Sequence, residues 1–288
     1  MKQIFDLYAP ALTDAQVQTA VAEITAKSAQ YKTDAVLKTI FGFIDLTTLS
    51  ETDNQAKAKL FADNVNNFPK NFKDMPNVAA ICVYPALVEG VKTNLKQPIG
   101  LASVVGGFPA SQTLIEIKTA ETALVFKKGA SEADMVISIG EFLSGNYQTV
   151  FDEIKAIKEA CGEGHLKVIL ESGTLKTSEN VKKASILGIE AGGDFIKTST
   201  GKTNPPATLE AVYVMAQTIK EHYARTGKKI GLKPAGGIAD ADTAVKYYAI
   251  MKEVLGDAWL TPELFRIGAS SLANNLLSEI TGTEVKYF

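Results

Sequence analysis

The chain has 288 residues, 46% of them hydrophobic, and its 30 basic and 32 acidic side chains leave a formal net charge of -2. Charges this balanced, and mixed along the whole length, argue against a nucleic-acid footprint and against a pull toward anionic membrane. The apolar share is that of a folded globular protein, and no apolar run approaches the roughly 18 residues of a membrane span.

At the N-terminus, Met1-Lys2-Gln3-Ile4-Phe5-Asp6 meets charge too early for a secretory leader, so a cytoplasmic protein is expected. Thr13-Asp14-Ala15-Gln16 has the form of a capping box, with Val17, Val21 and Ile24 following at helical spacing. The spacing predicts a helix over about 13–30 and a second ending near Ile40. Residues 1–40 therefore read as an N-terminal helical extension. From Phe41 the pattern changes: short apolar or β-branched runs at 43–46, 80–84, 101–105, 133–138, 167–171, 194–197, 231–235 and 265–268 alternate with amphipathic stretches. Helical patterns fill the intervals, as over 113–127, 150–160 and 209–224, with no long Pro/Gly/Ser linker. Eight βα units in one run predict an α/β protein in which residues 41–288 form a single (β/α)8 TIM barrel. An open doubly wound sheet is the alternative the pattern leaves.

Alternation along the candidate strands separates two faces. Ile81 and Val83, Met135 and Ile137, Val168 and Leu170, Ile196 and Leu232 form an apolar face suited to packing under helices. The other face carries Asp45, Cys82, Asp134, Lys167, Glu171, Lys197 and Lys233, which then point into the lumen or toward its mouth. Unpaired charge in a packed interior is costly, so these groups need each other or a ligand.

Lys197 closes its strand just before Thr198-Ser199-Thr200-Gly201, at the end where barrel active sites lie. A lone lysine there more often snorkels into water, but Lys233 occupies the matching place on the next strand. Strand spacing puts the two ammonium groups about 6 to 7 Å apart, where their repulsion is about 2.5 kcal/mol at an effective dielectric near 20. That repulsion, with desolvation adding to it, lowers one lysine toward the neutral amine that Schiff-base chemistry requires. Asp134 is the candidate proton shuttle, or simply the carboxylate that neutralises a lysine. Lys167 reads as a structural ion-pair partner in support, and Asp45 either bonds a substrate hydroxyl or caps a loop. Cys82 reads as a small lumen hydrophobe.

Cys82 and Cys161 are too few for a disulfide framework, and His165 and His222 sit in no metal-binding spacing. No metal and no cofactor is expected. The last three loops, Thr200-Gly201-Lys202, Gly236-Gly237-Ile238 and Gly268-Ala269-Ser270-Ser271, offer unshielded backbone N–H groups, the last leading into a helix near Ser271. Such a helix start after the seventh or eighth strand is a frequent phosphate site.

Several stretches together resemble the deoxyribose-phosphate aldolase family: Ile44-Asp45-Leu46-Thr47-Thr48-Leu49, Ala80-Ile81-Cys82-Val83-Tyr84-Pro85, Leu166 to Gly173, Asp194 to Lys202, Gly231 to Gly237 and Gly268 to Leu272. They run in the family's order. The resemblance implies reversible, metal-independent cleavage of 2-deoxy-D-ribose 5-phosphate to acetaldehyde and D-glyceraldehyde 3-phosphate. It implies Lys197 as Schiff-base lysine, Lys233 as its tuner and Asp134 as shuttle. Asp45, Lys167, Thr200 and Lys202 would bind substrate, and Gly201, Gly236, Gly237, Gly268, Ser270 and Ser271 the phosphate. Partners would be the sugar phosphate and acetaldehyde, with a homodimer allowed. Two departures stand out: Ile238-Ala239-Asp240 replaces a stretch where many relatives carry arginine, and Tyr287 is followed by Phe288 where some relatives end in a tyrosine relay.

Overall fold

Three helices precede the first strand in the computed structural model, which describes residues 1–288: α1 (Lys2–Phe5), α2 (Asp14–Ala26) and α3 (Asp34–Phe41). The capping box forms as written, Thr13 Oγ1 accepting from Gln16 N and Gln16 Oε1 from Thr13 N. Helix α2 stops at Ala26, short of the expected end, and a 3-10 turn over Ser28–Tyr31 follows. There the Ser28 hydroxyl bonds the Thr25 carbonyl at 2.7 Å, tightening the last turn. Val17, Val21, Leu37, Ile40 and Phe41 join the main apolar core, so these helices pack on the barrel's outer layer, chiefly against its last three long helices.

Strand and helix then alternate: β1 (Ile44–Thr47), α4 (Gln55–Asn71), β2 (Ala80–Val83), α5 (Val88–Asn94), β3 (Gly100–Val105), α6 (Ile115–Lys127) and β4 (Glu132–Val136). Two short helix pairs follow β4 and β5: α7 (Ile139–Leu143) with α8 (Tyr147–Ala160), then β5 (His165–Ile169), α9 (Ser172–Leu175) and α10 (Ser178–Glu190). The series ends with β6 (Phe195–Lys197), α11 (Leu209–Thr226), β7 (Gly231–Lys233), α12 (Ala241–Leu255), β8 (Ile267–Ala269) and α13 (Leu272–Thr281).

All eight strands are parallel; β1 through β7 pair in sequence, and β8 pairs with β1. Bridges Leu232 to Phe265 and Ala235 to Gly268 join β7 to β8 and close the barrel. The closure decides against the open sheet. The helix-facing residues of the strands fall in the main apolar core, while Cys82, Ala102 and Val104 form a small separate cluster inside the lumen. Several expected strand ends shift, and β5 shifts by two residues at each end. β5 runs 165–169 rather than 167–171, because Glu171 adopts φ +54° and turns the chain out of the sheet. No helix is long and apolar enough to cross a membrane.

Behind the barrel, the chain end folds onto α3 and α4. Phe68 stacks on Phe41 at 5.0 Å and on Phe288 at 5.6 Å, and the Tyr287 ring meets it edge-on at 5.7 Å. Phe68 is fully buried, so Phe68→Ala is expected to cost about 3–5 kcal/mol. Urea unfolding of the two proteins measures it.

Candidate active site

Parallel pairing fixes which side chains meet. Lys197 and Lys233 are register partners on β6 and β7, Asp134 lies opposite Lys167 across β4 and β5, and Asp45 lies opposite Gly268 across β1 and β8. All of these side chains share the inner face, and all are buried. They form one ionic cluster centred on Asp134. Its Oδ2 accepts from Lys197 Nζ at 2.8 Å and from Lys233 Nζ at 2.7 Å, while Oδ1 accepts from Lys167 Nζ at 3.0 Å. Lys233 also lies 2.5 Å from Asp45 Oδ2, an ion pair in which no donor is aligned on that oxygen for a hydrogen bond.

Two residues to which the sequence assigns no site role complete the cluster. Arg266 Nη1 donates to Asp45 Oδ1 at 2.7 Å and Nη2 to Glu132 Oε1 at 3.0 Å, and Glu132 also takes a hydrogen bond from Lys167. The alternation that marks Asp134, and the register that sets Gly268 beside Asp45, carry Glu132 and Arg266, each two residues earlier, into the lumen. The strand bounds assumed from sequence hid Glu132 and gave Arg266 no partner.

Four cations thus share three carboxylates. Burial alone would raise Asp134, but the three ammonium groups hold its carboxyl well below the usual range. Burial likewise opposes the charged forms of Lys167 and Lys233, yet Asp134 and Asp45, with Glu132 for Lys167, raise both. Lys197 is the lysine that goes down: burial is the largest cause, Asp134 resists, and Lys233 pushes the same way as burial. This revises the expected order of causes, in which repulsion by Lys233 came first. The spacing differs as well. With both nitrogens on one oxygen, they are closer than the 6 to 7 Å that strand spacing suggests, because the carboxylate draws them together.

Above the cluster opens a cleft of about 290 Å3, lined by Thr47, Leu49, Lys197, Thr200, Gly201, Lys202, Gly236, Gly237, Gly268, Ser270 and Ser271 among others. Of the seven ionic side chains, Lys197 alone lines it. Asp45 and Lys167, expected to bind substrate, do not reach the cleft: each is fully buried and committed to other members of the cluster. Asp134 and Lys233 also lie beneath its floor.

A model of the DeoC/LacD family aldolases matches residues 39–275. The chain is 44% identical over 250 residues to the deoxyribose-phosphate aldolase of Homo sapiens, covering 83% of this chain and 78% of that one. The Mus musculus enzyme gives 43% over the same length, with the same coverage. The chain belongs to the DeoC/LacD family of aldolases. The fold agrees: deoxyribose phosphate aldolase from Aeropyrum pernix superposes with a TM-score of 0.68 over 89% of this chain and 96% of that one, at 23% identity.

In this aldolase the loops after β6, β7 and β8 form the upper wall of the cleft. Gly236 and Gly237 take φ of +85° and +75° in succession, and a Cβ on Gly236 would sit 2.9 Å from Pro206. Only glycine suits this turn. Glu171, the residue that leaves β5, accepts from both Thr200 N and Thr200 Oγ1, so Thr200 is held by protein at the cleft edge. Lys202 is exposed and donates to the Leu49 carbonyl across the mouth. Helix α13 starts at Leu272, and Ser271 before it supplies no side-chain cap, whereas α10, α11 and α12 are capped by Thr177, Thr208 and Asp240. Asp240, in the stretch that replaces the relatives' arginine, is thereby spent on capping. Tyr287 donates to the Asn64 carbonyl at 2.8 Å and packs beside Phe72, away from the cleft lining. The Cys82 thiol is buried against Asp134 and pushed up by burial and that charge, so it stays protonated. No group of three His, Cys, Asp or Glu side chains is arranged to hold a metal ion.

Gly268 fits the site for a further reason: a Cβ there would meet Ala235 Cβ at 2.9 Å and Lys233 Cε at 3.0 Å. Gly268→Ala is expected to destabilise the protein by about 1–3 kcal/mol and to displace Lys233, read as a fall in both urea midpoint and turnover. The depressed carboxyls also set an acid limit. Their contribution is complete above the unfolded carboxylate pKa near 4 and is lost as pH falls through the lower folded values. Thermal unfolding from pH 7 to pH 2 should fall less steeply for Asp134→Asn than for the parent.

Proposed function

We propose that this chain cleaves 2-deoxy-D-ribose 5-phosphate reversibly to acetaldehyde and D-glyceraldehyde 3-phosphate through a Schiff base on Lys197. The observation that carries the reading is that Lys197, alone of the buried ionic cluster, faces the cleft, and it is also the lysine whose charged form the site disfavours. A neutral Lys197 attacks the C1 aldehyde, and loss of water gives an iminium that withdraws electrons from C2. Removal of the C3 hydroxyl proton then breaks the C2–C3 bond. Glyceraldehyde 3-phosphate leaves, and protonation at C2 and hydrolysis return acetaldehyde and the amine.

Asp134 is ionised at rest beneath the floor, so in this scheme it takes the proton that the Lys197 nitrogen loses on attack and returns it to the carbinolamine hydroxyl as water leaves, rather than donating to the distal sugar. Lys233 holds Asp134 from the far side and adds positive charge beside Lys197. The phosphate is assigned to the open start of α13 and the glycine turns, with Lys202 as the peripheral cation. Asp45 and Lys167 hold the cluster together from below. A homodimer is supported by Leu114, just before α6, and Ile117 and Leu124 on it, all three exposed; sedimentation tests it. A cytoplasmic setting fits the two free cysteines.

Acetaldehyde with borohydride should label one lysine, Lys197, found by peptide mass spectrometry, and Lys197→Leu should lose both labelling and retro-aldol turnover. EDTA should leave turnover unchanged. Turnover on a keto-sugar phosphate with none on deoxyribose 5-phosphate would replace this substrate assignment. Lys202→Ala is expected to raise KM for deoxyribose 5-phosphate about tenfold, the loss of one charge-assisted contact, with a smaller effect on unphosphorylated deoxyribose.

A further inference from the structure

Glu132 and Arg266 touch neither the cleft nor Lys197, yet the lumen is shaped around them. A Cβ on Gly100 would come within 2.6 Å of Glu132 Oε1, and one on Gly231 within 2.3 Å of the Phe195 ring, over which the Arg266 guanidinium sits at 5.7 Å. Arg266 Nε is tied to the Pro262 carbonyl, its Nη1 to Asp45 and its Nη2 to Glu132. The pair therefore forms a lower tier. The upper tier, Lys197 and Lys233 on Asp134, meets it through Asp45 and Lys167.

We propose that Arg266 and Glu132 are positioning residues that fix the net charge of the cluster and thereby the charge state of the Lys197 amine. The inference rests on Lys197 being the Schiff-base nitrogen. With every group ionised, four cations against three carboxylates leave one positive charge in excess. Arginine cannot relieve that excess, because its guanidinium does not deprotonate in proteins. Lys167 faces three carboxylates and Lys233 faces two. Lys197 faces Asp134 from β4, with Lys233 from β7 and the protonated Cys82 from β2 as its other near groups. It holds the fewest carboxylates, so it is the member that gives up its proton. Arg266 contributes by consuming part of Asp45 and Glu132, carboxylate that would otherwise stabilise the lysine ammonium groups.

The sign follows from the count. Removing the guanidinium takes the cluster from one excess positive charge to none, favours the Lys197 ammonium and raises its pKa. Removing the Glu132 charge takes the excess to two and lowers that pKa. The test is the pH dependence of Lys197 labelling by acetaldehyde with cyanoborohydride, compared across the parent, Arg266→Met, Glu132→Gln and the double variant. The amine titration should move up by about half a pH unit or more in Arg266→Met, down by a similar amount in Glu132→Gln, and back to the parent value in the double variant. Packing damage alone has no reason to produce opposite shifts that cancel. If Arg266→Met does not fold, Glu132→Gln decides the matter, since it removes the charge while keeping the side-chain volume and one of the two acceptor oxygens. A titration that stays put or moves up in Glu132→Gln overturns the inference while labelling at Lys197 still stands. Absence of labelling at Lys197 in the parent protein would overturn both.

Discussion

The structure is organised around one carboxylate oxygen that two lysines claim at once. Asp134 Oδ2 sits between Lys197 and Lys233, fully buried, in a lumen that also holds two further cations and two further carboxylates. Desolvating so many charges is expensive and is offset only if nearly every one has a partner. The cluster meets that condition with one cation too many. The deficit falls on the single lysine that borders open space, so the requirement that buried charge be balanced is what leaves a reactive amine at the cleft. Chemistry and stability draw on the same set of contacts.

Much of this is legible in the residues because parallel strands obey a period of two. Asp45, Cys82, Asp134, Lys167, Lys197 and Lys233 can be assigned to one face from alternation alone, and the barrel's closure makes that face a shared interior. The residues that alternation misplaces are those at strand ends. Glu171 leaves the sheet through a left-handed backbone and becomes the anchor for Thr200. Glu132 lies one residue ahead of the expected start of β4, so alternation counted from that start does not reach it. Arg266 lies inside an expected strand, but its partners, Asp45 and Glu132, are separated from it by more than a hundred residues. Which carboxylate binds which cation is set by side-chain length and reach across the lumen, and no local pattern records it. For the same reason the residues read one at a time leave Asp45 open between a substrate hydroxyl and a loop cap, and give Lys167 an ion pair without naming its partners.

The glycines show how the backbone serves the charges. Gly100 and Gly268 leave room for the Glu132 carboxylate and the Lys233 methylenes, and Gly231 for the ring beneath Arg266. A sequence pattern marks such residues only as turn formers or weak strand positions, since the missing side chain matters through what approaches it from another strand.

Helix α13 starts beside the cleft with no side chain of its own to complete it. The first amides of any helix require acceptors, and here the protein declines to supply one. An anionic guest seated there would finish a hydrogen-bond inventory that the polypeptide leaves open. Occupancy would then pull the folding equilibrium with it through mass action, making resistance to unfolding a gauge of how much metabolite is present.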